Sequence, residues 1–179
     1  LLVATDLRGV FSHGTRQSAG YLRNLKERNL NPKPVTEVVQ DSPATAVIDG
    51  DGSLGHIASW EAANLLVRKT REIGLGAVTT RNHHHFGSAG KYSRVASDAG
   101  FVGFVVSSHV RRFQPESSLG SAGGASPMSF AIPSGCEPPL ILDMGTAFVL
   151  PRSMDFEEIF RQMPSVFFKS LGLGTVCHA

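Results

Sequence analysis

Short apolar runs closed by glycine, proline or polar turn residues alternate along this chain with segments whose apolar side chains recur every three to four residues. That alternation limits the chain to strands and helices packed on shared cores. The 179 residues, 41% of them hydrophobic, suffice for one such domain and leave no room for disorder as the main state. VTEVVQ, TAVIDG, GAVTTRN, SFAIP and PLILDMG read as strands, and the unbroken run FVGFVVSS reads as a buried one. Helices are expected from about Gly14 to Arg28, from Trp60 to Ile73 and from Ser88 to Asp98, the last closed by Gly100. SHGTR then sits on the first turn of the first of these helices, and DGDGSLG supplies a turn. A final helix is capped by Asp155 and carries Phe156, Ile159, Phe160 and Met163 on one apolar face. The fold class is α+β, a mixed α/β arrangement in which a mixed sheet and a largely antiparallel sheet are equally compatible with the irregular connections. The Gly-x-Gly-x-x-Gly fingerprint of a Rossmann domain follows none of the strands, which disfavours that fold.

Charge excludes some partners. Seventeen Lys and Arg stand against fifteen Asp and Glu, a net +2, with no basic block of the kind a nucleic-acid or membrane surface uses. No apolar run is long enough for a membrane helix and the first residues lack a secretory signal, which points to a cytoplasmic protein. Cys136 and Cys177 lie far apart without metal-ligand spacing, so no disulfide framework is expected. The chain starts without Met and stops inside an apolar stretch, and it reads as part of a longer protein.

Histidine is the compositional outlier, with seven in the chain. His83, His84 and His85 fall at the joint between a strand and a helix, where side chains are presented from a rigid scaffold, so at least one is expected to face a cleft. Consecutive histidines also occur as plain surface residues. Imidazole near a helix N-terminus is held neutral by the macrodipole, which suits a base working near neutral pH. Three adjacent residues of a strand point to opposite faces, so the cluster makes a poor tetrahedral metal set, and no metal is expected.

Ser12, His13, Gly14 and Arg16 combine a hydroxyl, an imidazole, a permissive backbone and a guanidinium within one turn, the chemistry of a carboxylate site. Ser12 as a simple cap and Arg16 as a solvated charge are the plainer alternatives. Asp143, after the apolar run LIL, holds a carboxylate at a strand end, where ribose hydroxyls are one conceivable partner and an ordinary turn is another. Gly120, Gly123 and Gly124 fall in a long Gly/Ser-rich loop that would let backbone approach a phosphate.

In order along the chain, TDLRGVFSHGTR, VIDGDGSLG, RNHHHFGSAGKY, SPMSFAIP and LILDMGTAF resemble the malate/L-lactate/ureidoglycolate dehydrogenase family of nicotinamide-dependent oxidoreductases. The resemblance implies a fold that is not Rossmann, a homodimer, and reversible hydride transfer between NAD or NADP and a small 2-hydroxy or 2-oxo acid. It implies a helical substrate-side segment over residues 1–40, part of an α/β cofactor-binding domain over 41–150 and a C-terminal helical segment over 151–179. By resemblance His85 is the acid/base in some members and His13 the proton donor in others. Ser12 and Tyr21 fall at positions lining the substrate pocket. Asp143, Met144, Gly145 and Thr146 match the segment that contacts the cofactor. The arginine that binds the substrate carboxylate stands, in many members, where this chain has Gln17, one position after Arg16. A truncated paralogue that binds a small acid without turnover, and a metal-dependent hydrolase built on the three histidines, are the alternatives from other classes.

Overall fold

The computed structural model describes residues 1–27, 30–107, 127–145, 156–165 and 168–169. α1 (Leu2–Asp6) leads into two single-turn 3-10 helices, Phe11–His13 and Thr15–Gln17, which run directly into α2 (Ser18–Glu27). SHG therefore precedes the expected helix instead of opening it: Gly14 is extended between the two tight turns, which interrupts any continuous α-helical ladder.

β1 (Glu37–Asp41) and β2 (Thr45–Ser53) form an antiparallel pair, and β3 (Ala77–His83) joins β2 in parallel after a crossover through α3 (His56–Ile73). The expected turn at DGDGSLG is instead the end of β2. Asp51 and Gly52 absorb a register shift there with positive φ values of 53 and 67, so the strand carries on to Ser53. α3 begins at His56, four residues before the apolar period becomes visible in the sequence, and buries Ala58, Ala62, Ala63 and Val67. Small residues on that face let the helix lie close to β2 and β3. Ile48, Ala58 and Ala62 form one core cluster there, with Leu65 and Val78 packed against it.

β4 (Gly103–Val106), β5 (Pro127–Ile132) and β6 (Leu140–Gly145) make a second, antiparallel sheet. α4 (Gly90–Asp98) covers it with Tyr92, Ser93, Ala96 and Ser97 buried. β4 is not the fully buried strand its composition suggests. Gly103 is buried, but Phe104 is 52% and Val106 57% exposed, so one face of the strand is open. A side chain at Gly103 would overlap the Ser93 carbonyl of α4, which explains the glycine. The fold is thus α+β with one mixed and one antiparallel three-stranded sheet among the described residues.

The two halves share a core where α3 meets α4. Phe86 stacks on Tyr92 at 5.3 Å with Ala63 and Ala89 around them, and the Tyr92 hydroxyl donates to the Phe86 carbonyl at 2.5 Å. Ser93 and Ser129, both buried, are hydrogen-bonded at 2.8 Å and tie α4 to β5. α5 (Phe156–Gln162) stands where the last helix was expected, and Phe160 on it is 51% exposed. Asp155, Thr146, Cys177 and the glycine-rich loop with Gly120, Gly123 and Gly124 lie outside them.

Candidate active site

The three consecutive histidines part company. His83 ends β3, with Nε2 hydrogen-bonded to the Thr80 hydroxyl and Nδ1 to the His84 carbonyl, each at 2.8 Å, and its side chain fills the space beside Gly50 with Cβ and beside Gly55 with the ring. Its role is packing. His84 is exposed. His85 turns inward, and its Nδ1 is hydrogen-bonded to the Tyr21 hydroxyl at 2.9 Å. Burial pushes the Tyr21 phenol above its ordinary pKa, so it remains an O–H donor at neutral pH. That bond fixes the orientation of the His85 ring, and which of the two groups donates follows the protonation of the ring.

His13 stacks on His85, ring centres 5.9 Å apart and planes 25° from parallel. Its Nδ1 is hydrogen-bonded to the Ser12 hydroxyl at 2.9 Å, so the two imidazoles are tied at the same ring atom by different hydroxyls. The turn that holds His13 is locked from below. Asp6 accepts from the Thr15 amide at 2.9 Å and from its hydroxyl at 2.5 Å, bonds that hold its carboxyl below the usual range. The same carboxylate lies where a side chain on Gly14 would be, so only glycine fits between His13 and Thr15. Gln17 donates from Nε2 to the Ser12 carbonyl at 2.6 Å, which makes it a brace of the turn. Arg16 is exposed on the second 3-10 helix.

Asp143 lies within β6, its outer side open to solvent and its inner side against the start of α4. It accepts hydrogen bonds from the backbone amides of Gly90 and Ala89, and the charges of His13 and Lys91 act on it as well. Loss of water on the inner side outweighs these and raises its carboxyl above the usual carboxylate range. Met144 is half-buried and Gly145 exposed, with open space where a side chain on Gly145 would stand. Among the described residues β6 is an edge strand, so its outer backbone is accessible to an extended ligand.

Sequence reading singled out Ser12, His13, Tyr21 and His85, which the fold brings together, and it gave Asp143 to the cofactor side; the fold sets that carboxylate near His13 and over the start of α4. It missed Asp6, His56 and Lys91. His56 opens α3 with its ring edge-on to Tyr21 at 5.1 Å, and Lys91 sits in the first turn of α4. Burial first, then the charges of Lys91 and His85, bring the His56 pKa down to about 3. Burial brings Lys91 down to about 8, against the opposing pull of Asp143.

No group of three or more His, Cys, Asp or Glu positioned to hold a metal occurs among the described residues, and none of their helices is long and apolar enough to cross a membrane.

Comparison with known proteins places these residues in a wider group. Residues 1–153 match the model of the malate/L-lactate dehydrogenase family. An L-sulfolactate dehydrogenase of Methanocaldococcus jannaschii is 38% identical over 149 residues, 83% of this chain and 43% of that protein. A malate dehydrogenase of Pyrococcus horikoshii is 32% identical over 148 residues, again 83% of this chain and 41% of its own length. The solved structure of the Pyrococcus horikoshii malate dehydrogenase superposes with a TM-score of 0.72 over 83% of this chain and 42% of that one, at 32% identity. That of the Methanocaldococcus jannaschii sulfolactate dehydrogenase superposes with a TM-score of 0.71 over 92% of this chain and 46% of its own, at 35% identity. The chain therefore spans less than half the length of these relatives. With most of its residues inside the family match and its fold shared with those structures, the chain belongs to the malate/L-lactate dehydrogenase family.

Proposed function

We propose that the protein carrying this chain transfers a hydride reversibly between NAD or NADP and the C2 carbon of a small 2-hydroxy or 2-oxo carboxylic acid. The observation that carries this reading is the His85 ring, hydrogen-bonded to Tyr21 at Nδ1 and stacked on His13 beside Asp143. Relatives named malate and sulfolactate dehydrogenases support it.

In this reading the Tyr21 hydroxyl orients His85 through Nδ1, and the imidazolium of His85 gives its Nε2 proton to the 2-oxo oxygen during reduction, leaving a neutral ring protonated on Nδ1 that takes the proton back during oxidation. Ser12 orients His13 in the same way, and the His13 ring stacks on His85 beside that transfer. Ser12, Arg16, Gln17 and Tyr21 are assigned to the substrate side. Gln17 supports that role through its bond to the Ser12 carbonyl. The nicotinamide, when bound, supplies the hydride chemistry itself. The accessible edge of β6 and the open space at Gly145 fit a role for Asp143, Met144 and Gly145 in holding it, together with Thr146 by sequence adjacency. Because the Asp143 carboxylate already accepts the α4 amides, its contribution is to fix that helix start under the cofactor segment. We read the working molecule as a cytoplasmic homodimer; the exposed Val3, Leu7 and Phe11 at the N-terminal end support a partner surface.

The test is turnover of NADH and NADPH with a panel of 2-oxo acids, followed as loss of the reduced cofactor, with His85→Ala as the variant. A positioned acid/base is worth about 10²–10⁴ in rate, so His85→Ala should lose that factor while still binding cofactor. Full turnover in a folded His85→Ala protein removes His85 from the role. Cofactor binding with no turnover of any 2-oxo acid favours the non-catalytic paralogue.

A further inference from the structure

Lys91 is 5% exposed, and its Nζ has no hydrogen-bond partner among the described residues. The Nε2 of His56 is likewise buried and unpartnered among them. Both nitrogens converge on one bare Cα. Gly87, at a φ of +82, is the point of approach: a side chain there would overlap the Lys91 Nζ and come within 3.1 Å of His56 Nε2. Lys91 Nζ lies 5.5 Å over the Tyr92 ring, a contact that supplies no hydrogen-bond acceptor. A buried ammonium without an acceptor is costly, and with the neutral His56 ring protonated on Nε2 both nitrogens present donors to one spot, the arrangement that an anion completes.

The surroundings point the same way. His56 touches Tyr21, and Tyr21 is hydrogen-bonded to His85, so the two unpartnered nitrogens lie one ring away from the proton-handling pair. Asp143 does not neutralise Lys91 by a direct ion pair: its carboxylate is taken up by the Ala89 and Gly90 amides. Lys91 also borders a cavity of about 430 Å³ whose walls include Arg8 and Arg94, with Asp98 the acid among its lining residues, so an anion approaching from that side meets mainly positive charge. The pKa of about 8 leaves Lys91 mostly protonated at neutral pH.

We propose that Lys91 and His56 form an anion subsite over Gly87 that holds the carboxylate of the acid substrate, one oxygen on Nζ and the other on the protonated Nε2 of a neutral His56. The proposal rests on the dehydrogenase reading for the identity of the acid, but the subsite can be tested without it. Held there, a 2-oxo acid is oriented by a cation on the first turn of α4, and the exposed Arg16 is not needed for that contact. The neutral His56 adds a hydrogen bond without adding a second buried charge.

The experiment uses the protein that carries this chain, with oxalate as the probe, measured by calorimetry, and with Lys91→Met as the variant, which keeps side-chain length and removes the charge. Hydrogen bonds to charged groups correspond to roughly a 10–100-fold change in affinity, so Lys91→Met should weaken oxalate binding by that factor and leave NADH binding unchanged. In turnover, KM for a 2-oxo acid should rise far more than kcat falls. The preference for that acid over the corresponding neutral 2-oxo amide should shrink by the same roughly 10–100-fold, a discrimination that a purely structural lysine would not alter. His56→Gln, the second variant, should weaken oxalate by a smaller factor even if Lys91→Met does not fold. Unchanged oxalate affinity in both folded variants, or no oxalate binding by the unaltered protein, overturns the proposal. Oxalate binding that depends on Lys91 in a protein with no turnover of any 2-oxo acid keeps the subsite and overturns the dehydrogenase reading instead.

Discussion

Three adjacent imidazoles in one sequence have three different environments, and the backbone sets each. His83 is the last residue of β3, so its ring lies across the β2 bulge; His84 points outward; His85 follows the strand's end and meets Tyr21 of α2. His56, outside that run, has its own consequence for pH. Its folded pKa is about 3 against an ordinary 6.5, so between those values the unfolded chain takes up a proton that the fold refuses. Stability attributable to His56 is therefore complete above about 6.5 and declines as the pH falls towards about 3. The thermal midpoint should drop with acidification across that range, and His56→Gln should flatten the decline; an unaltered slope in the variant removes His56 as its source. The depressed Asp6 carboxyl acts in the same direction at lower pH, because its bonds to Thr15 are lost once it is protonated. For an exposed group that change belongs to the local order of the SHG turn.

At the scale of elements, close approach and chain reversal explain most glycines that the site depends on. α3 ends at Gly74, which is left-handed at a φ of 89 and returns its N–H to the Thr70 carbonyl at 2.8 Å. Nothing lies within 4 Å of where a side chain would be, so Gly74→Ala carries a purely conformational cost of about 1 kcal/mol, measurable by urea denaturation. A change well above that would mean the helix end is also packed. Gly103 is the opposite case. It has no positive φ, but α4 presses on it, and Gly103→Ala should cost about 1–3 kcal/mol by pushing α4 away from β4. Because α4 carries Lys91 and caps Asp143, that variant should also weaken whatever binds at the start of α4. Stability lost with ligand affinity intact would separate the helix from the site.

At the scale of the whole molecule, the mixed sheet and the antiparallel sheet are coupled through α3 and α4, and Phe86 lies at that junction. The residue is 8% exposed and stacked on Tyr92. Phe86→Ala should cost about 3–5 kcal/mol, and it should loosen both halves together because both lean on the same cluster. Urea unfolding followed by far-UV circular dichroism and by tryptophan fluorescence from Trp60 checks this. Coincident transitions shifted to lower urea are expected, and transitions that separate in the unmodified protein would show that the halves unfold independently. The active-site groups come from the first 3-10 helix, α2, the start of α3, the β3–α4 joint, the first turn of α4 and β6, so they assemble only when this junction is formed.

Local chemistry, written into the sequence, determined the α+β class and most strand positions, and it singled out the SHG turn and the run of three histidines as candidates. Apolar periodicity and turn residues act over a few neighbours, and those are visible in a linear string. Helix and strand edges were less legible: β2 runs through DGDG because a bulge absorbs it, and α3 starts at His56 because tertiary contacts hold a turn with little apolar period of its own. Tertiary structure alone decided which histidine faces Tyr21, that Asp143 caps α4, and that Lys91 and His56 meet over Gly87. Each of those depends on residues far apart in the chain meeting within hydrogen-bond reach, and the burial that shifts their proton affinities exists only once the elements have packed.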